Sequence, residues 1–351
     1  MTSVIINGRF LTQRITGVNR FALEICNSLR RLSFEFKVIV PEWYEDIHNS
    51  GIELVRYGNL RSHFWEQIDL PRFLKKNGSP LLVNFAGLGP VFYENQILTI
   101  HDLSFLRNRK WFSFSYFLLY SFLTPIAARR AKLIITVSNF SKNEIAELLR
   151  IEKDKIWVIP NAVSGQFVSS APAERKQKYI LAVSSLDPRK NHGRLIRAFN
   201  LAGLQGYQLL LVGKYEKHFG SSVKSFFDNK TVSFLGYVSD EELVKLYQNA
   251  SLFVYPSLYE GFGIPPLEAM ALGCPVIASS IPSLREVLGD SVFYVDPYDE
   301  NDIASGISTL LNDTWLTSQL IDKGYLMANK YSWEESAKKV INLIEHVILN
   351  R

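Results

Sequence analysis

Glu260-Gly261-Phe262-Gly263-Ile264-Pro265-Pro266-Leu267-Glu268 is the stretch that decides the fold of this chain. Before it, the short apolar run 251–256 predicts a buried strand. After it, residues 269–272 continue a helix that Gly273 would end, and residues 275–279 form a second apolar run. Strand, loop, helix and strand in this order indicate a βαβ unit of a parallel sheet.

The same stretch has the composition of a ligand site. A glutamate stands at each end, and open α/β sheets bind ligands beyond the carboxyl ends of their strands. Free N–H groups at the start of a helix can bind a phosphate, and the two prolines fit the first turn of such a helix. The two glycines have no Cβ, so a ligand can approach their backbone closely. A surface turn with two solvated glutamates is the alternative, and the context favours the ligand site.

Length and composition bound the class of protein. A chain of 351 residues indicates two domains, and 47% apolar residues exclude wholesale disorder. Cys26 and Cys274 lie far apart and form no metal or disulfide pattern, which favours a reducing compartment. Residues 2–7 are typical of a first strand and lack the features of a secretion signal. We therefore expect a cytoplasmic protein.

Charge is distributed unevenly along the chain. Residues 1–165 hold 21 Lys and Arg against 14 Asp and Glu, whereas the remainder holds 18 against 20. A basic first half suits a phosphorylated ligand or an acidic lipid surface. Nucleic acid is not favoured, because no zinc-finger spacing, helix-turn-helix or aromatic RNA-binding signature is present.

The first half alternates apolar runs with helical patterns, and two features stand at the predicted strand ends. Strands are predicted at 4–7, 36–41, 81–84, 96–102, 133–138 and 156–161. Gly17 lies between the first strand and a helix over 20–32, where it could cradle a phosphate or make a plain turn. His101 and Asp102 end an apolar strand, and we favour a site role for His101 over a locally satisfied histidine.

Trp111 to Ala128 is the most apolar stretch of the chain. Pro125 and several serines interrupt it, and it lies within a βαβ repeat that a membrane-spanning helix would pull apart. Core packing and docking on an anionic bilayer remain equally open, since Arg and Lys residues flank the aromatic run. For the following helix, Ser141 is the predicted N-cap.

The second half repeats the alternation. Strands are predicted at 179–183, 208–213, 232–236 and 292–296, and helices at 194–201, 239–249 and 332–349. We predict an α/β protein with two doubly wound, Rossmann-like domains facing across a cleft. Residues 1–165 would form the acceptor-binding domain, residues 172–330 the nucleotide-sugar-binding domain, and residues 331–351 a C-terminal helix packing back toward the first. Residues 164–178 are the predicted linker.

Ordered motifs in both halves resemble the retaining glycosyltransferases of family 4, which have the GT-B fold. The motifs are Asp187-Pro188-Arg189-Lys190-Asn191, Gly236-Tyr237-Val238, Pro256-Ser257 before Glu260-Gly261-Phe262-Gly263, Glu268-Ala269-Met270-Ala271 before Gly273-Cys274-Pro275-Val276, His101-Asp102, Thr136-Val137-Ser138 and Ile159-Pro160-Asn161. Arg189 and Lys190 are two adjacent cations after a strand. Alone they would be an ordinary surface pair, but beside Glu260 and Glu268 on the same sheet edge they favour a diphosphate.

The resemblance implies a role for each matched residue. Glu260 would lie by the donor sugar, Glu268 would bind the nucleotide ribose, and Arg189 with Lys190 would neutralise the leaving diphosphate. Phe262, Gly263 and Ile264 would offer backbone contacts to the sugar and phosphate, and Val238 would help to hold the nucleotide base. Gly17 would belong to the loop beside the diphosphate, and His101 would face the donor sugar. Front-face displacement with retention is expected. We predict no cofactor and no metal, because no Asp-x-Asp motif occurs.

The resemblance also suggests substrates. The first hypothesis is transfer of a hexose from GDP-mannose to a lipid-linked saccharide in bacterial O-antigen or surface-polysaccharide biosynthesis, at the inner face of the cytoplasmic membrane. A UDP- or dTDP-sugar donor is the first alternative. A nucleotide-sugar epimerase or hydrolase, or a catalytically silent partner of an assembly complex, is the second.

Overall fold

The computed structural model describes residues 4–13, 16–45, 51–168, 176–214 and 231–350. The chain forms two compact units: unit 1 comprises Met1–Asn161 with Ser332–Arg351, and unit 2 comprises Ala162–Tyr331. Residue 172, the predicted start of the second domain, and residues 169–175 of the predicted linker lie outside the described residues. The first half of the loop before Gly17, residues 14–15, lies outside them as well.

Unit 1 contains a parallel sheet with the order β3-β2-β1-β4-β5-β6-β7. Its strands are β1 Val4–Asn7, β2 Lys37–Val40, β3 Leu54–Arg56, β4 Leu81–Asn84, β5 Gln96–Thr99, β6 Leu133–Thr136 and β7 Ile156–Val158. The central strands are buried throughout, as expected where helices cover both faces of a parallel sheet. The sequence did not predict β3, because this edge strand is short and only half-buried.

Helices pack around this sheet. They are α1 Gly17–Arg31, α2 Ser62–Phe64, α3 Leu70–Lys76, α4 Ser104–Arg107, α5 Phe114–Arg130, α6 Asn139–Leu149 and α13 Trp333–Leu349, with a π-helical turn over Trp65–Asp69. Helix α13 belongs to unit 1: Trp333 meets the Phe21 ring edge-on at 5.9 Å, and Ser336 Oγ donates to the Pro160 carbonyl at 2.8 Å. The predicted N-cap Ser141 is wrong, because Ser138 Oγ accepts from the Ser141 N–H.

The most apolar helix, α5, begins three residues later than predicted. Ser113 caps it, and a 3₁₀ turn over Arg109–Trp111 precedes it. Thr124, Ala127 and Ala128 are buried, so the C-terminal half of α5 packs in the core. No helix within the described ranges is long and apolar enough to cross a membrane.

Unit 2 repeats the strand order of unit 1. Its strands are β8 Gln177–Val183, β9 Gln208–Val212, β10 Val232–Gly236, β11 Ala250–Tyr255, β12 Val276–Ser279 and β13 Phe293–Val295. The sheet is parallel, with the order β10-β9-β8-β11-β12-β13. The order reverses between β8 and β11, and the crevice beyond the carboxyl ends of two such strands is where doubly wound sheets bind ligands.

The helices of unit 2 follow its strands. They are α7 His192–Leu201, α8 Asp240–Asn249, α9 Ile264–Ala271, α10 Pro282–Leu288, α11 Glu300–Asn312 and α12 Thr314–Asn329. The three helices α10 to α12 were not predicted. Helices α7 and α11 bury Leu195, Ile196, Ile303 and Ile307 against the sheet in one core cluster.

Candidate active site

The loop after β8 is shaped by its own side chains. Asp187 Oδ1 accepts from the Arg189 N–H at 3.0 Å, and Asp187 Oδ2 accepts from Ser185 Oγ at 2.8 Å. Pro188 fits the first position of the 3₁₀ turn over Pro188–Lys190 that Asp187 caps. The Asp-Pro-Arg-Lys motif therefore makes a compact turn at the carboxyl end of β8.

Two groups join this loop to the loop after β11. Asn191, in the left-handed conformation at φ 62°, donates through Nδ2 to the carbonyls of Pro256 at 3.0 Å and Pro297 at 2.7 Å. The Leu258 N–H donates to the Arg189 carbonyl at 2.8 Å. The two loops on either side of the strand-order reversal are thereby held in register.

Lys190 and Glu260 form a buried ion pair between these loops. Lys190 Nζ lies 2.5 Å from Glu260 Oε1, with residue exposures of 8% and 6%. Tyr255, the last residue of β11, completes the cluster: its hydroxyl donates to Glu260 Oε1 at 2.9 Å and accepts from Lys190 Nζ at 3.2 Å. Lys190 precedes Tyr255 by 65 residues and Glu260 by 70, and the three side chains meet at Glu260 Oε1.

The charge state of Glu260 follows from this environment. Burial alone would raise its pKa, but the positive charges of Lys190 and Arg189, with the hydrogen bond from Lys190, bring the pKa below its ordinary value. Burial and the charge of Glu260 raise the pKa of Tyr255 well above its ordinary value. Glu260 is therefore ionised at neutral pH, and Tyr255 is a neutral donor.

Glu268, the other motif glutamate, lies in α9 and is 5% exposed. Its Oε2 accepts from the hydroxyl of Tyr247, a fully buried residue of α8, at 3.2 Å. Burial, followed by the charge of Glu268, raises the pKa of Tyr247 well above its ordinary value. Each of the two motif glutamates is therefore bonded to a buried tyrosine.

The start of α9 offers backbone donors. Gly263 is the N-cap at φ 90° and makes no side-chain cap, and the prolines at 265 and 266 have no N–H. The N–H groups of Gly263 and Ile264 are thus the donors that this helix end presents to an anion. The Phe262 side chain is buried and meets the Tyr331 ring edge-on at 5.3 Å.

The other two predicted donor-side residues of unit 2, Arg189 and Val238, differ in their distance from Glu260. Arg189 lies beside Lys190, with Nε 3.8 Å from Asp187 Oδ1. Val238 is half-buried and lies beyond the end of β10, the edge strand, two strands from β8. Glu260, Lys190, Arg189 and the α9 start thus form one cluster, and Val238 lies outside it.

His101 and Gly17 belong to unit 1. His101 is half-buried, its Nε2 lies 3.0 Å from the Phe85 carbonyl, and its ring meets Phe21 of α1 edge-on at 5.1 Å. Burial lowers the pKa of His101, against the Phe85 hydrogen bond and the Asp102 charge, so the ring is neutral at pH 7 with its hydrogen on Nε2. Gly17 is exposed at the start of α1, one turn before Phe21, with open space around it.

The sequence reasoning missed Tyr247 and Tyr255, which the structure places on the two glutamates. The only feature of the sequence that relates them is their spacing: Tyr247 precedes Tyr255 by eight residues, as Glu260 precedes Glu268. It also missed a buried pair in unit 1, Arg9 Nε at 3.2 Å from Glu66 Oε1. Arg9 of this pair follows β1, and β1 adjoins β4 at the strand-order reversal of the sheet.

Within the ranges that the structure describes, no group of three or more His, Cys, Asp or Glu side chains could hold a metal ion.

Family models cover most of the chain. Residues 15–166 match the model described as Glycosyltransferase Family 4, and residues 166–327 match that described as Glycosyl transferases group 1. Unit 1 and unit 2 thus each correspond to a known glycosyltransferase domain.

Curated relatives agree with these models. O-antigen chain mannosyltransferase B of Escherichia coli is 34% identical over 276 residues, covering 72% of this chain and 72% of that protein. O-antigen chain mannosyltransferase RfbU of Salmonella typhimurium is 30% identical over 331 residues, covering 88% of this chain and 90% of that protein.

The solved structures show the fold. HepE of Anabaena, in complex with UDP and glucose, matches 99% of this chain and 100% of its own with a TM-score of 0.78 at 17% identity. The predicted α/β GT-B class is confirmed, and this fold with these models defines a glycosyltransferase. The chain belongs to glycosyltransferase family 4.

Proposed function

We propose that the protein is a retaining, metal-independent mannosyltransferase that moves mannose from GDP-mannose to a lipid-linked saccharide in O-antigen or surface-polysaccharide biosynthesis. One observation carries the proposal: the Lys190–Glu260 pair lies at the strand-order reversal of unit 2, beside Arg189 and the uncapped start of α9. Cations, helix N–H groups and a carboxylate at one edge of the sheet match the phosphates and hydroxyls of a nucleotide sugar.

The cations would act on the leaving diphosphate. Within the described residues, Lys190 Nζ donates to Glu260 and to Tyr255, and an ammonium group has three hydrogens. The third is available to a phosphate oxygen. Negative charge develops on the diphosphate as the sugar bond breaks, and cations fixed beforehand stabilise that charge without reorganisation. Such a site does not depend on a metal ion.

The role of Glu260 follows from its pairing. A carboxylate held by Lys190 and Tyr255 is a poor attacking nucleophile but a good acceptor for sugar hydroxyls. Front-face displacement, in which the leaving phosphate takes the acceptor proton, needs no free nucleophile. Retention by this route therefore suits a site whose carboxylate is already bonded.

The choice of donor and pathway rests on the relatives. Two curated relatives that cover more than two thirds of the chain are O-antigen chain mannosyltransferases, which favours mannose as the transferred sugar. HepE was solved with UDP and glucose, so a UDP-sugar is the alternative to be tested beside GDP-mannose.

A membrane-facing acceptor site is supported by one surface of unit 1. Phe114, Leu118 and Phe122 lie one helical turn apart on α5 and are 67%, 58% and 67% exposed. Arg109 and Lys110, both exposed, precede them. Exposed aromatic and aliphatic side chains beside cations suit the surface of an anionic bilayer at the inner face of the cytoplasmic membrane.

The activity is tested with GDP-mannose, UDP-glucose and dTDP-glucose, each with and without a lipid-extracted oligosaccharide acceptor. We expect nucleotide release only with GDP-mannose and acceptor together, and NMR should show an α-linked product from the α-linked donor. Nucleotide release without acceptor would indicate a hydrolase, and a changed sugar on the recovered nucleotide an epimerase. Either result would overturn the transferase proposal.

The membrane surface is tested by flotation with vesicles of phosphatidylglycerol and phosphatidylethanolamine. The wild type should float with these vesicles but not with phosphatidylcholine alone. Replacing Phe114, Leu118 and Phe122 by Ser should abolish flotation, while the exposed Trp315→Ser in unit 2 serves as the control. Equal flotation of the triple variant and the wild type would contradict a role for α5.

A further inference from the structure

Tyr247 and Tyr255 hold the two motif glutamates by the same chemistry. The Tyr255 hydroxyl donates to Glu260 Oε1 at 2.9 Å, and the Tyr247 hydroxyl donates to Glu268 Oε2 at 3.2 Å. The tyrosines come from different elements, Tyr255 from β11 and Tyr247 from α8, so each glutamate is fixed by a separate part of the fold.

Phe253 links the two tyrosines into one rigid aromatic row. Its ring lies 5.4 Å from Tyr247 at 64° and 6.0 Å from Tyr255 at 22°. Tyr247 and Phe253 are fully buried, and Tyr255 is 3% exposed. Close-packed buried rings have little rotamer freedom, so the two hydroxyls stand at fixed positions.

We propose that Tyr255 and Tyr247 are positioning residues that aim Glu260 at the donor sugar and Glu268 at the nucleotide ribose. Fixing one oxygen of a carboxylate fixes the direction of the other, which then meets a ligand hydroxyl without a search over side-chain rotamers. This inference rests on the proposed function, since it assigns each tyrosine to one part of a nucleotide sugar.

Both tyrosines remain hydrogen donors across the physiological range. Burial and the adjacent carboxylate raise the pKa of each phenol well above its ordinary value. A carboxylate is an acceptor only, so the phenolic hydrogen is the one that each pair uses. Tyr→Phe substitutions remove this hydrogen and keep the aromatic row.

Because the two tyrosines act on different glutamates, their substitutions should weaken ligand binding in different ways. With Tyr247→Phe, Glu268 loses one of the bonds that orient it, so GDP and GDP-mannose should both bind about tenfold more weakly than to the wild type. With Tyr255→Phe, the sugar contact of Glu260 loosens, while Lys190 loses its bond to the hydroxyl but stays paired with Glu260 for the diphosphate. GDP-mannose should therefore bind about tenfold more weakly and GDP within about twofold of the wild type.

Isothermal titration calorimetry with GDP, GDP-mannose and 2′,3′-dideoxy-GDP tests whether the two tyrosines affect different parts of the ligand. If the wild type prefers UDP, the corresponding UDP compounds replace the GDP compounds. Tyr247→Phe and wild type should bind the dideoxy nucleotide equally, because the ribose hydroxyls are gone. Tyr179→Phe is the matched control: this buried tyrosine of unit 2 donates to the Leu246 carbonyl at 2.6 Å. It should bind every probe as the wild type does.

The outcomes separate the inference from the proposed function. Wild-type protein that binds none of these nucleotides would overturn the proposed function. Wild-type binding of GDP with unchanged affinity in Tyr247→Phe would overturn the inference alone. The same loss for both variants on all three probes would also overturn it, since that pattern indicates a general packing defect.

Discussion

Lys190 Nζ lies 2.5 Å from Glu260 Oε1, and this contact joins the loop after β8 to the loop after β11. Both residues are more than nine-tenths buried. A buried ion pair costs desolvation that its attraction only partly offsets, so it is weak evidence for a purely stabilising role. The position of the pair at the strand-order reversal, where doubly wound sheets bind ligands, instead suits the binding of a charged ligand.

Lys190→Met should destabilise unit 2 by about 3–5 kcal/mol, because it leaves the Glu260 carboxylate buried without its cation. Adding Glu260→Gln should restore most of that loss, since the neutral amide can still accept from Tyr255. Urea unfolding at pH 7 of both single variants and the double variant measures the coupling. Additive losses in the double variant would show that the two side chains do not form a pair.

Asn191→Asp should weaken both the fold and nucleotide binding. Asp keeps the size of the side chain but replaces the donor to the Pro256 and Pro297 carbonyls by an acceptor. The loss of two hydrogen bonds and the new repulsion should cost about 2–4 kcal/mol of unfolding free energy. A urea midpoint equal to that of the wild type would mean that these bonds do not hold the loops together.

Gly263→Ala should cost about 1–3 kcal/mol of stability and weaken nucleotide binding. A side chain at φ 90° is strained, and the new Cβ would lie 2.6 Å from Leu284 Cδ2. Gly165→Ala is the control, because that position has open space and no positive φ. Thermal unfolding should separate the two variants. Equal melting temperatures would show that the turn before α9 tolerates a side chain.

His192 should make the protein sensitive to mild acid. Burial and the nearby charge of Lys190 lower its pKa to about 3, whereas the unfolded chain protonates its histidines near pH 6.5. Its neutral form therefore contributes stability that is present above about pH 6.5 and lost as pH falls toward 3. Between pH 7 and pH 5 the loss should be about 2 kcal/mol.

His192→Gln isolates this contribution, since an amide at this position can still reach Ser184 Oγ, which lies 3.2 Å from His192 Nε2. The free energy of unfolding of the variant should fall less than that of the wild type between pH 7 and pH 5. All other residues are the same in both proteins, so their contributions cancel in the comparison. Parallel pH profiles would rule out a buried neutral His192.

Much of the fold could be predicted because it rests on local pattern. Short apolar runs marked the central strands of both sheets, and these strands are buried on both faces. Edge strand β3 and helix α12 have weaker patterns, because few of their residues are buried and their stability comes from tertiary packing. Helices α10 and α11 do bury residues at helical spacing, and the sequence pattern could have indicated them. The cluster of Arg189, Lys190 and Glu260 could be predicted because strand ends of one parallel sheet share an edge.

The tyrosine partners could not be predicted from sequence. Tyr247 lies in a helical pattern and Tyr255 in a strand pattern, where an aromatic residue is ordinary core. Tyr255 reaches Glu260 through the course of the loop after β11, five residues along the chain, whereas Tyr247 reaches Glu268 only through the placement of α8 beside α9. The same limit applies to Arg9 and Glu66, which are 57 residues apart in sequence and meet in the core of unit 1.

We propose that unit 2 binds the diphosphate of a nucleotide sugar between Arg189, Lys190 and the start of α9. A thermal-shift panel of GDP-mannose, UDP-glucose, dTDP-glucose and ADP-glucose tests it most directly, since a ligand that binds only the folded state raises the melting temperature. We predict the largest rise with GDP-mannose and a much smaller rise in Arg189→Gln. No rise with any of the four donors would contradict the claim.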